Sequence, residues 1–126
     1  MEILNQLSSQ KGDKTEDCNK IVAEKCIANS RLLAEIAVGL EDKDKKIQSD
    51  CIEVFTLVSE KKPEFTVQYA DDIIPLLYSK EAKTRWEAAH TLSYIADKIP
   101  DIISHILPLL QSLIEKTTVR LFVIIP

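Results

Sequence analysis

The sequence predicts an all-α protein: a right-handed α-α superhelix, or solenoid, of about three and a half antiparallel helix pairs with no β-sheet. Three observations carry this expectation. Glycine occurs only twice in 126 residues, at Gly12 and Gly39, which leaves little of the turn chemistry that hairpins need. The chain resembles itself at an interval of about 37 residues. Within each interval, two stretches carry the apolar spacing of an amphipathic helix.

The repeat is read by placing Ile36 to Glu64 over Ile73 to Asp101. Leu40 then falls on Leu77, Cys51 on Ala88, Ile52 on Ala89, Phe55 on Leu92 and Val58 on Ile95. Pro63-Glu64 falls on Pro100-Asp101, and a proline followed by an acid is how a helix opens when Pro takes its first turn. The clearest amphipathic stretch runs from Thr84 to Ile99. There Ala88, Ala89, Leu92, Ile95, Ala96 and Ile99 share one face about 120° wide. Extending the pattern gives one domain over 1–126 with helix pairs at about 1–29, 31–62 and 64–99 and an incomplete pair at 101–126. The first helices of the later pairs are expected at about 31–41, 64–79 and 101–116. The first pair fits least well, since Lys25 and Asn29 fall among its apolar positions, as suits an edge repeat with one neighbour. The expected core is Leu33, Ile36, Leu40, Ile52, Phe55, Val58, Ile73, Leu77, Ala88, Ala89, Leu92, Ile95, Ile106 and Leu110.

Composition narrows the function classes. An apolar share of 45% with 29% charged residues is that of a globular domain. The net charge of −4 is spread over both halves, so the basic footprint of a nucleic-acid binder is missing. Cys18, Cys26 and Cys51 are an odd number without CxxC spacing, which suits reduced thiols packed as small hydrophobes. No secretory leader and no apolar run of membrane-spanning length stands in the sequence, so the expected location is cytoplasmic, away from membranes.

Particular segments resemble the HEAT-repeat family. IIPLL at 73–77 and ILPLL at 106–110 look like first helices of HEAT repeats. RWEAAHTLSYIA at 85–96 is similar to the second helix, with its Arg85 and paired alanines, and VRLF at 119–122 repeats the Val-Arg opening. The mid-helix prolines Pro75 and Pro108 then act as structural kinks, each removing one backbone hydrogen bond. The family places an Asp about six residues before the Arg, where this chain has Ser79. Arg85, near the centre of its helix's apolar face, needs a partner; the expected one is Asp42 or Asp44 of the previous turn.

The resemblance implies that second helices line a concave surface. Trp86, His90 and Tyr94 follow at i, i+4 and i+8 on the side of their helix away from the apolar face, with Asp97 beyond. Their counterparts one repeat earlier are Ser49, Glu53, Leu57 and Glu60. Such a row either packs against the adjacent helix or offers anchors to a partner, for Trp and Tyr are favoured at interfaces. No phosphate-binding loop, metalloprotease, nucleophile-elbow or calcium-loop pattern is present; His90 and His105 lack ligand-spaced companions.

The expected function is therefore a non-catalytic module that docks another protein or peptide, without cofactor or metal. In that reading Trp86, His90, Tyr94 and Leu57 give contact, and Asp97, Glu53 and Glu60 select a basic partner. Two alternatives follow from resemblance alone: a HEAT-like glycosylase acting on damaged DNA, for which Trp86 and Asp97 would serve, and an adaptor subunit of a cofactor lyase. The apolar tail TTVRLFVIIP at 117–126 lacks a polar cap. Leu121, Phe122, Ile124 and Ile125 would then be covered by further repeats or by a second copy of the chain.

Overall fold

The computed structural model describes the backbone of residues 3–115 and the side chains of residues 3–112. Seven α-helices occur among them: α1 (Asp17–Ala28), α2 (Leu33–Gly39), α3 (Lys45–Lys61), α4 (Pro63–Thr66), α5 (Ala70–Ile73), α6 (Ala82–Tyr94) and α7 (Pro100–Glu115). Short 3-10 turns at Ile3–Gln6, Ser30–Leu32, Val67–Tyr69, Ile74–Tyr78 and Ala96–Lys98 link them. No strand is present among the described residues, and no helix there is long and apolar enough to cross a membrane. The all-α solenoid expected from the repeat is the observed architecture.

Two layers build it. Helices α1, α3 and α6 lie side by side, α3 in the middle. Behind them, α2 packs on α3, the Ile74–Tyr78 turn with α5 packs on α6, and α7 packs on α6. The chain starts these helices with local polar groups. The Asp44 carboxylate accepts from the Lys46 N–H at 2.9 Å and caps α3. Asp13 accepts from the Thr15 hydroxyl and from the N–H of Thr15 and of Cys18, which holds the entry to α1 and keeps its carboxyl well below the usual range. Pro63 opens α4, where its missing N–H costs nothing.

The space between the layers is filled by the apolar stripes. Every expected core residue is buried except Ile106, which is half-buried on α7. Leu7, Val22, Cys26, Val54 and Leu76 join them. Each fully buried aliphatic side chain contributes ~1.5–3 kcal/mol relative to exposure. Cys26 and Cys51 are unbridged and inside, and burial pushes the Cys26 thiol up to about 12 and raises Cys51 likewise. Gly39 is there for space: a Cβ at this position would collide with the sulfur of Cys51 and crowd Leu4.

A polar seam also crosses the interior. Thr56 on α3 meets Thr91 on α6, hydroxyl to hydroxyl at 2.9 Å; one hydroxyl donates to the other, and the one that accepts donates in turn to a helical carbonyl within reach. These are satisfied groups, so burying them carries little cost.

Two expectations about helices are corrected. The single helix expected at 64–79 is a string of α4, Val67–Tyr69, α5 and Ile74–Tyr78. Thr66 turns its hydroxyl to the Pro63 carbonyl and to Ser59, and Pro75 cannot donate to the ladder, so the α winding stops twice. Pro75 thus breaks its segment rather than kinking it, while α7 runs through Pro108 as one helix. In the first pair, the opening helix is only the Ile3–Gln6 turn. The second helix of the fourth pair and the reading of the 117–126 tail fall outside the described residues.

Candidate interaction surface

Helix α6 carries Trp86, His90 and Tyr94 one turn apart, so their rings meet in sequence. The Trp86 and His90 ring centroids are 3.8 Å apart at an interplanar angle of 36°. His90 and Tyr94 meet edge to face at 6.5 Å. Trp86 and Tyr94 are half-buried, while His90 between them is buried. Burial lowers the His90 pKa and favours the neutral imidazole, and its Nε2 has no hydrogen-bond partner among the described residues. Burial and the facing Glu60 carboxylate raise the Tyr94 hydroxyl.

The row continues onto α3. Glu60 is exposed and lines a cleft of 200 Å³ between α1 and α3, together with Leu57, Ile27, Ala23, Lys20 and Lys61. Leu57 is half-buried there, and Asp97 stands exposed in the Ala96–Lys98 turn. Glu60, which faces Tyr94, therefore links the α6 row to the cleft that Leu57 lines. Such a mixture suits contact with a macromolecule, where aromatic anchors sit inside a polar rim.

Glu53 does not stand with those residues, and the expectation that it selects a basic partner at the surface is corrected here. Its side chain is 3% exposed and points into a polar network at the start of the inner helices. Asn19 Nδ2 donates to Glu53 Oε1 at 2.6 Å and to Asp50 Oδ1 at 2.9 Å. Asp50 also accepts from the Ser9 N–H at 2.9 Å, and Asn19 accepts from the Ser8 N–H at 2.9 Å. Lys83 donates to Glu53 Oε2 at 3.3 Å from α6. Burial, and a hydrogen bond shared with Glu16, push Glu53 up to about 7, and the same bond holds Glu16 lower. The network borders a cleft of 410 Å³ that includes Lys14, Lys45 and Lys46.

Asn19 and Asp50 went unread in the sequence. A signal exists: Asn19 heads the stripe Val22, Ala23, Cys26 at helical spacing, so it faces inward with them. Arg85 is also corrected. It meets neither Asp42 nor Asp44, whose carboxylates accept from the backbone N–H groups of Asp44 and Lys46. Its guanidinium donates instead to the Ser79 carbonyl at 2.7 Å, ending the preceding segment. The chain thus replaces an acidic side chain with a main-chain oxygen.

A family model for the non-SMC mitotic condensation complex subunit 1 (Cnd1) matches residues 3–121. Comparisons with curated proteins and with solved structures find no match.

Proposed function

Because the chain belongs to the Cnd1 family of non-SMC mitotic condensation complex subunits, a HEAT-repeat family, we propose that it is a non-catalytic scaffold segment that docks a protein partner on its inner helices. The observation that carries the reading is the Trp86–His90–Tyr94 stack, with Trp86 and Tyr94 half-buried and Tyr94 facing Glu60 of the cleft that Leu57 lines. The stack fixes its own rotamers, so little side-chain freedom is lost when a partner covers it. Trp86 and Tyr94 act as anchors, and Leu57 supplies apolar area beside them. Glu60 and Asp97 favour basic groups on the partner, with Glu53 acting through the fold rather than through contact.

Its groups support contact more than chemistry. A general acid or base needs an orienting partner in hydrogen-bond reach, and His90 Nε2 has none among the described residues.

The test is quantitative capture of binding partners from cell extract by the full chain and by the Trp86→Ala/Tyr94→Ala variant, with circular dichroism as the folding control. Loss of two interface anchors weakens binding by about thirtyfold or more, with the helical spectrum retained. Partners captured equally by both proteins would refute the surface, and unfolding of the variant would make the row packing. Salt-sensitive retention of DNA in place of a protein would overturn the class.

A further inference from the structure

Glu16 stands immediately before α1, where a side chain ordinarily accepts from the first N–H groups of its own helix. Its carboxylate makes no such bond. Those donors are already taken. The Asp17 N–H donates to the Thr15 hydroxyl, the Cys18 N–H to the Asp13 carboxylate and the Asn19 N–H to the Ser8 hydroxyl, each at 3.1 Å. Glu16 instead crosses from the start of α1 to α3 and meets the buried carboxyl of Glu53.

Two carboxyl groups in hydrogen-bond contact need a proton between them, because two carboxylates offer only acceptors. The proton belongs to Glu53, whose burial favours the neutral form, and Glu16 accepts from it. The surrounding charges come from all three inner helices. From α1, Asn19 donates to Glu53, and Lys20 acts on Glu16. On α3 itself, Asp50 is occupied by Asn19 and the Ser9 N–H. From α6, Lys83 donates to Glu53, while the buried Glu87 is bonded to Thr56 and feels both Lys83 and Glu16. Asp13, Lys14, Lys45, Lys46 and Glu81 line the cleft above.

When the proton leaves, exposure decides which carboxylate moves. Glu53 is 3% exposed and keeps Asn19 and Lys83. Glu16 is exposed, and its side chain has no other hydrogen bond among the described residues. Lys20 offers it a second seat one turn along: the Lys20 N–H donates to the Glu16 carbonyl at 2.9 Å, so the pair has the Glu-before-Lys spacing that favours an ion pair on a helix surface. Lys20 also lines the α1–α3 cleft of the inner surface, with Glu24, Glu60 and Lys61.

We propose that Glu16 is the moving arm of a proton-operated switch: with a proton between the two carboxyls it ties the start of α1 to α3 through Glu53, and without one it turns to Lys20. The released proton goes to water. Once Glu16 neutralises Lys20, Glu24 and Glu60 face only Lys61, and the cleft attracts basic groups more strongly. That consequence rests on the docking surface proposed above, whereas the switch itself does not.

The experiment follows the carboxyl carbons of Glu16 and Glu53 and the side-chain signals of Lys20 by NMR in the carbon-13-labelled full chain, from about pH 5 to 9. All three should move together through one transition near about 7. Glu53→Gln offers an N–H to Glu16 at every pH, so the neutral transition of Glu16 and Lys20 should vanish. Glu16→Gln, at an exposed position that leaves the fold intact, should abolish the Lys20 response, and Glu87→Gln should leave it in place. A Glu16 signal that stays still while Glu53 titrates, a Glu16 transition that survives Glu53→Gln, or an unresponsive Lys20 would each overturn the switch. Partners captured through Trp86 and Tyr94 should be retained about threefold more at pH ~8 than at pH ~6 by the parent, and equally by Glu53→Gln. Equal retention by the parent would sever the switch from docking. Capture indifferent to Trp86 and Tyr94 would instead remove the docking surface, with the NMR result still deciding the switch.

Discussion

Replacing Glu53 by Gln should change how stability depends on pH, and in a direction opposite to the usual carboxylate. Glu53 holds its proton up to about 7 in the folded chain against 4.5 as its ordinary value. The folded state therefore takes up a proton that the unfolded state releases. The stability this represents is complete below the ordinary carboxylate value and is lost as pH rises through the folded one. At ~1.4 kcal/mol per pH decade between those two values, the loss is on the order of 3 kcal/mol. Glu16 and Asp13 run the other way, since their depressed carboxyls stabilise above the ordinary value and fail in acid. Comparing the Glu53→Gln variant with the parent removes those shared contributions. The amide introduced at this position keeps an oxygen for Asn19 and offers an N–H to Glu16, as the protonated acid does. Lys83, largely exposed, turns to water. Urea unfolding followed by circular dichroism, at one ionic strength across the neutral range, measures the difference. The two proteins should agree near about pH 5, and the variant should lead by roughly 2–3 kcal/mol near about pH 8. Parallel curves would refute the reasoning, because they would mean that Glu53 titrates like a solvated acid.

Two further substitutions test the packing. Leu92 is fully buried, and Leu92→Ala should cost ~2–5 kcal/mol in urea unfolding; a loss below about half a kcal/mol would contradict the burial. Gly39→Ala sets a methyl against the Cys51 sulfur and should cost ~1–3 kcal/mol by overpacking. Adding Cys51→Ala should recover part of that loss, and strict additivity of the two changes would show that they do not meet.

Much of the fold was legible because its cause is periodic. Leu33, Ile36 and Leu40, like Ala88, Leu92 and Ile95, recur at the helical step, and that spacing alone selects the inward face. Broken winding at 64–79 was harder to read, since Thr66 and Pro75 interrupt a stretch whose apolar spacing is continuous. Deciding between them needs the hydroxyl's partner, and Ser59 lies on another helix. The aromatic row was readable as a row, yet its depth was not: His90 is buried by its own neighbours on both sides. Glu53 shows the limit most clearly. By helical projection it shares a face with solvated positions, but Asn19, thirty-four residues away, and Lys83 close over it. Polar residues that satisfy one another across helices leave no period in the sequence, and Arg85 found a carbonyl that no side-chain code announces.

The paired hydroxyls of Thr56 and Thr91 have a consequence for the shape of a longer array. Two apolar helix faces can slide along one another at little cost, because one methyl group substitutes for another at each step. A hydroxyl pair offers no such series of equivalent positions. Sliding α6 by one turn along α3 would break the pair and leave each hydroxyl with a carbonyl of its own helix alone. The seam therefore works as a detent that sets the offset between neighbouring inner helices, as Asn19 and Asp50 do between α1 and α3. Two such contacts, one at each junction of α1, α3 and α6, thus let a few buried oxygen atoms set the spacing at which these three inner helices meet anything laid along them.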